Sequence, residues 1–274
     1  MVEKIIHYCW FGGKELPELA IKCIESWKKY CPDYEIRRWD ESNFDIDSCD
    51  YVREAYNQKK WAFVSDYARF WILYNYGGLY FDTDVELIKP IDDLVEKGAF
   101  MGLERDVDFS SFNKDNGGEK IYANPGLGLY ADRGLEFYAD ILEAYRGRHF
   151  LDVNGNEDKT TVVDIVSDFF RKDKIDIIDE ATLKSKGIHL YRKDVFCPMD
   201  YRTGKMEITE QTRSIHHYVA SWMSEDELRC QFIFRSMKEK YGNFFGRIIG
   251  YIITIPLRAR ISGILVALFP RLAK

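Results

Sequence analysis

The sequence predicts an α/β fold built on a mostly parallel central sheet. Apolar, β-rich stretches alternate with stretches of helical period over the first hundred residues. Paired glycines punctuate the joins, at Gly12–Gly13 and Gly77–Gly78. The chain has 274 residues, 46% hydrophobic and 15% aromatic, which is enough for one large core or two small ones.

"KIIHYCWF" (4–11) is apolar and ends at two glycines, so it reads as a buried first strand. Pro17 opens a helix in which Ala20, Cys23, Ile24 and Trp27 recur at helical spacing. "YEIRRW" (34–39) reads as a second strand, followed by a polar helix over about 50–60. In "SDYARFWILYNYGG", Ser65 reads as an N-cap, Ala68, Trp71 and Ile72 as one face, and Gly77 as the close. "LYF" enters a strand, "VELI" leaves as another, and "AFMGLER" (99–105) is a further one. Residues 106–120 are polar and rich in Gly and Asn, so a loop is expected there. The second half predicts helices over 134–146 and near 161–171, with strands at 175–178, 188–196 and 214–219.

The formal net charge is −6, which argues against general nucleic-acid binding. It is unevenly spread: residues 235–274 carry eight Lys or Arg and one acid, Glu239. Six scattered cysteines with no C-x-x-C pair read as reduced buried thiols in a reducing compartment. The opening apolar run is too short for a signal peptide, and no stretch reaches transmembrane length. The expected organisation is a domain over 1–241 and a basic, apolar helical tail over 242–274. The expected location is cytoplasmic, peripheral on the inner face of the cell membrane.

The chemistry centres on "GGLYFDTDVE" (77–86). If the segment is extended, Asp82 and Asp84 point the same way at a strand end, where open α/β sheets bind ligands. A divalent cation offsets their repulsion, and hard oxygen ligands suit Mg²⁺ or Mn²⁺. A bare D-x-D is common by chance, but Asp66 and Arg69 lie at i and i+3 on the preceding helix. With Ser65 as the cap, both fall in a first turn, whose free N–H groups attract phosphate. A carboxylate for hydroxyls, a guanidinium for phosphate and a metal pair for diphosphate together suit a nucleotide-sugar.

"SDYARFWILYNYGGLYFDTDVE" closely resembles the sugar-binding region of the D-x-D glycosyltransferases, which include Och1-type mannosyltransferases, bacterial capsular-polysaccharide transferases and the catalytic domains of clostridial glucosylating toxins. "IIHYCWFGG" resembles that family's opening strand, and "IHHYVASW" (215–222) its closing motif. The resemblance implies a GT-A fold: a Rossmann-like sheet with a small second sheet. It implies a retaining, metal-dependent hexosyltransferase that moves a sugar from a nucleotide-sugar to a glycan or lipid-linked acceptor. UDP-sugars are favoured as donors, with GDP-mannose the alternative, and capsular or surface polysaccharide synthesis is the expected setting.

By position, the resemblance makes Trp10 the base-stacking residue and Asp66 the carboxylate for sugar and ribose hydroxyls. Arg69 becomes the cation near the phosphates and Tyr80 a phosphate or sugar contact. Asp82 and Asp84 become the metal pair. A late histidine supplies a further ligand: His216 is favoured, with His217 the alternative, since adjacent strand residues face opposite ways. Asn124 faces the sugar, Trp222 closes over the donor, and Asp164 lies in a region that contacts acceptors.

Two other readings compete. A D-x-D phosphatase places its motif after the first strand of its fold, whereas a strand–helix–strand–helix run precedes this one. A non-catalytic sugar or nucleotide binder would favour an altered D-x-D. In the tail, Leu257–Leu268 reads as an amphipathic helix with Arg258 and Arg260 near its start, suited to an anionic membrane surface. Its alternative is a helix pair packed on the domain or in a homodimer.

Overall fold

The computed structural model describes residues 3–105, 121–171, 175–179, 182–200, 205–219 and 225–261. The expected 106–120 loop lies outside them. Two compact units divide the chain. One comprises Met1–Met199 with Met206–His217, the other Asp200–Lys205 with Tyr218–Lys274.

The first unit holds an eight-stranded sheet in the order β2-β1-β3-β6-β5-β9-β8-β7. Its strands are β1 (Ile5–Cys9), β2 (Glu35–Trp39), β3 (Gly78–Tyr80), β5 (Phe100–Leu103), β6 (Ala123–Ala131), β7 (Asp176–Asp179), β8 (Thr182–Ser185) and β9 (Ile188–Tyr191). Six of the eight run one way; β6 and β8 run against them. A second sheet pairs β4 (Val85–Leu87) with β10 (Ser214–His216), antiparallel, and the short helix α4 (Asp92–Val95) follows β4. The α/β class, the mostly parallel sheet and the small second sheet are as expected.

Helices cover both faces because successive strand residues point to opposite sides. Tyr8 of β1, and Phe81 just beyond β3, meet Trp27 of α1 (Glu18–Tyr30) on one side. The Trp27 indole N–H donates to the Val85 carbonyl at 2.7 Å, tying α1 to the second sheet. Cys9 and Tyr80 join the other core. That core is filled by α2 (Asp50–Asn57), α3 (Trp61–Tyr76), α5 (Glu136–Arg146) and α6 (Val162–Arg171).

The α3–β3 join needs both its glycines. Gly77 and Gly78 have φ of +67° and +96°, and a Cβ on Gly78 would sit 2.7 Å from the Ile5 carbonyl. His7 buttresses the join from β1: its Nδ1 accepts from the Trp39 indole at 3.0 Å, and its Nε2 donates to the Gly77 carbonyl at 3.0 Å. That arrangement needs a neutral ring, and burial pushes the His7 pKa down to about 4.

Several boundaries moved. α3 begins at Trp61, a full turn before the expected cap; Ser65 is inside it, its hydroxyl donating to the Trp61 carbonyl at 3.0 Å. The expected strand 188–196 stops at Tyr191 and turns into the short helix α7 (Lys193–Phe196). The expected strand 214–219 stops at His216. The nine-residue β6 reads "ANPGLGLYA", which has turn composition, yet every residue of it is buried.

The second unit contains α8 (Glu225–Ile261), broken at Gly242 by φ +76° and ψ 170°. No helix among the described residues is long and apolar enough to cross a membrane.

Candidate active site

Parallel pairing of β1 and β3 brings their C-terminal ends to one edge of the sheet. Trp10 leaves β1 there, and Phe81 and Asp82 leave β3. This is the edge where open α/β sheets take ligands. β6 runs against β3, so its first residues, Asn124 to Gly126, arrive at the same edge. The Asp82 N–H donates to the Gly126 carbonyl at 3.3 Å.

Asp82 and Asp84 converge through a turn. The Val85 N–H donates to the Asp82 carbonyl at 3.0 Å, closing a tight turn over 82–85, so the extended-strand argument for their shared direction is replaced. β10 returns beside β4 with His216 opposite Val85. That register places His216 Nε2 3.2 Å from Asp84 Oδ1. One ligand atom each from Asp82, Asp84 and His216 all lie within 4.8 Å of one another. Two carboxylates and an imidazole at that spacing fit a divalent cation such as Mn²⁺.

Of the two histidines, only His216 joins this group. His217 faces away: its Nε2 pairs with Glu86 Oε2 at 2.9 Å, and Glu86 also receives Lys22 at 3.0 Å. The His217 N–H donates to the Asp84 carbonyl at 2.9 Å, which fastens β10 to the D-x-D turn.

α3 supplies the other half. Asp66 and Arg69 share a face, as their spacing requires. With the helix starting at Trp61, however, neither is in its first turn, so the expected help from free N–H groups does not apply. Arg69 is a buried cation between two carboxylates, 2.9 Å from Asp66 Oδ1 and 3.2 Å from Asp82 Oδ1. Its guanidinium lies 5.0 Å from the Tyr80 ring centre. The Tyr80 hydroxyl donates to Asp82 Oδ1 at 3.1 Å. One oxygen of Asp82 is thereby held twice.

The charge balance shows in the titration behaviour. Burial pushes the Asp66 carboxyl up to about 7, against the lowering effect of Arg69. Burial also raises Asp82, with Arg69 opposing and Asp84 reinforcing the rise. For His216, burial is the largest influence and lowers the pKa, but the charge and hydrogen bond of Asp84 with the charges of Asp82 and Glu104 together outweigh it, and the net shift is upward. Burial disfavours the charged form of Asp66 and Asp82, and a cation bound beside them would offset that cost.

Gly126 is a site residue that sequence reasoning missed. A Cβ there would lie 2.1 Å from Asp82 Oδ2 and 3.2 Å from Asn124 Oδ1. Asn124 Oδ1 accepts the Gly126 N–H at 2.8 Å, and its amide donates to Glu104 at 3.1 Å. The available signal was the glycine two residues after Asn124, in "ANPGLG". Trp10 stands at the same edge, its indole N–H bonded to the Lys14 carbonyl at 2.7 Å. Asp164 caps α6 together with Thr161, whose hydroxyl lies 2.8 Å from its carboxylate. Trp222 lies outside the described residues.

Residues 17–101 match the family model described as "Glycosyltransferase sugar-binding region containing DXD motif". Two curated relatives come from Schizosaccharomyces pombe. Inositol phosphoceramide mannosyltransferase 3 is 33% identical over 108 residues, covering 36% of this chain and 29% of the relative. Inositol phosphoceramide mannosyltransferase 1 is 28% identical over 111 residues, covering 36% and 33%. The chain thus spans about a third of the length of these relatives. Among solved structures, PaToxG Glycosyltransferase aligns with a TM-score of 0.42 and 17% identity, over 62% of this chain and 68% of that one. The galactosyltransferase LgtC aligns at 0.37 and 16%, over 69% and 74%. Likenesses at that level carry no argument. It is residues 17–101, which hold Asp66, Arg69, Tyr80 and the Asp82–Asp84 pair, that are similar to the DXD-containing sugar-binding region of glycosyltransferases.

Proposed function

We propose that this chain is a metal-dependent retaining glycosyltransferase that moves a sugar from a nucleotide-sugar to a glycan or lipid-linked acceptor. The observation that carries the reading is the convergence of Asp82, Asp84 and His216, with Asp66 and Arg69 alongside. Asp82, Asp84 and His216 would hold the Mn²⁺ or Mg²⁺. Bound there, the ion supplies positive charge for the leaving diphosphate.

The other residues position the donor. Trp10 stacks on the base. Asp66 presents its carboxylate to sugar and ribose hydroxyls. Arg69 is committed to both aspartates, so it acts first by holding them, and its charge reaches the phosphates from there. Tyr80 pins Asp82, and Asn124 borders the sugar. The resemblance to the D-x-D glycosyltransferases favours attack by the acceptor hydroxyl from the face the diphosphate leaves. The leaving phosphate takes the acceptor proton.

UDP-sugars remain the favoured donors. The names of the curated relatives support a second reading, a mannosyl donor and a lipid acceptor. The proposed setting is surface or capsular polysaccharide synthesis, with the protein cytoplasmic and peripheral on the membrane, and the proposed division is a catalytic domain over 1–241 with a tail over 242–274. Screening UDP- and GDP-sugars with Mn²⁺ by thermal shift identifies the donor. Donor hydrolysis by the wild type should then vanish with chelator and in Asp84→Ala. An Asp84→Ala protein that stays folded and keeps wild-type turnover would remove the metal assignment.

A further inference from the structure

The second unit has an arrangement unlike that of a water-facing helix pair. Gly242 breaks α8 into two arms, and the arms fold back on each other. The contact that shows this is Gly250 against Phe234: a Cβ on Gly250 would lie 2.8 Å from the Phe234 ring. Residues 234 and 250 are equidistant from the break at 242, as an antiparallel helical hairpin requires.

The second arm turns its small residues inward. Gly246, Gly250 and Thr254, four apart, are its buried positions. Four residues at about 100° each keep them on one stripe. Its large apolar residues point outward: Phe244 is 71% exposed, Phe245 64%, Ile248 45%, Ile252 59% and Ile255 52%. At the same helical angle these five centre roughly opposite the buried stripe. A helix folded for water does the reverse, burying its large apolar side chains. Small residues between helices with large apolar residues outside is the pattern of helices that pack in lipid.

The charge fits the same surroundings. Arg247 and Arg258 lie along one edge of the outward face by helical angle, and the Arg258 guanidinium stands 4.2 Å from the Tyr251 ring centre. Arginine beside tyrosine at the rim of an apolar face suits the headgroup level, where both have an apolar body and a polar end. Residues 235–274 as a whole carry a net charge of +7, which an anionic surface attracts.

We propose that the arm of α8 after Gly242 sinks its outward face, Phe244, Phe245, Ile248, Ile252 and Ile255, into the surface of an anionic lipid bilayer. This deepens the membrane reading above and relocates it. The anchor is the hairpin, not the Leu257–Leu268 helix expected from sequence, most of which lies outside the described residues. The hairpin does not span the bilayer; it lies in one leaflet.

The test uses the full chain and vesicles of phosphatidylglycerol and phosphatidylcholine. The wild type should float with them. The paired change Ile248→Glu and Ile252→Glu should lower partitioning by about a hundredfold while the helical circular dichroism is kept. The matching changes Leu265→Glu and Leu268→Glu should leave flotation in place. In Tyr251→Trp, the introduced indole should be quenched by brominated acyl chains. Flotation that survives the Ile248/Ile252 pair but fails with the Leu265/Leu268 pair overturns the hairpin and leaves the membrane reading standing. A wild type that never floats removes both, while donor hydrolysis by the same preparation still stands or falls alone. A lipid-free dimer that the Ile248/Ile252 pair converts to monomer, with flotation unchanged, makes a second copy the occupant and overturns the proposal.

Discussion

Gly126→Ala tests the geometry of the site with a single methyl group. The added Cβ would meet Asp82 Oδ2 at 2.1 Å and its Cγ at 3.1 Å. An ordinary carbon–oxygen contact is roughly 3.3 Å, so the carboxylate must retreat by about 1 Å. It cannot simply rotate, because Oδ1 is held by the Tyr80 hydroxyl and by Arg69. Gly126 has no left-handed backbone, so alanine brings no conformational strain of its own. Overpacking of this kind costs about 1–3 kcal/mol of stability, which leaves a folded protein to assay. A displacement of about 1 Å at a positioning group costs roughly a hundredfold in rate. Gly126→Ala should therefore lower kcat/KM for Mn²⁺-dependent donor hydrolysis by about that factor and raise the Mn²⁺ needed for half-activity. Gly147→Ala, where a Cβ meets nothing within 4 Å, is the control and should change neither. If Gly126→Ala keeps wild-type turnover and Mn²⁺ dependence, Asp82 is not at the reacting centre in the position described here.

Two further outcomes follow from the same residues. His216→Ala should weaken Mn²⁺ binding by about tenfold or more, whereas His217→Ala, which loses only its partner Glu86, should leave it near wild type; isothermal titration with Mn²⁺ separates them, and equal losses would undo the assignment. His7 should make the fold acid-sensitive. Its pKa falls from 6.5 to about 4 on folding, so its neutral hydrogen-bonded state contributes fully above pH 6.5. That contribution is lost as pH drops from 6.5 to about 4, by about 3 kcal/mol. Urea unfolding of wild type against His7→Gln should show the wild type losing more stability over that window, and parallel curves would refute the buried neutral ring.

Local sequence was enough wherever local forces decide structure. The apolar period of α1, the glycine stop after α3 and the short strands either side of "DTD" depend on contacts within a few residues, so they were legible. So was the grouping of Asp66 with Arg69, because helical spacing imposes it. What the sequence could not carry was anything set by a distant partner. β6 reads as a turn, with Pro125, Gly126 and Gly128, yet is a fully buried strand because β3 and β5 pair with it on both sides. α3 starts at Trp61 and not at Ser65 because tertiary packing overrides an exposed-cap preference. Alternation said that His216 and His217 face opposite ways, but only the β4–β10 register decided which one meets Asp84. In the tail, composition announced apolar and basic character. Which face of the helix turns outward was decided by Gly246, Gly250 and Thr254 packing inward, where only small side chains let two helices approach.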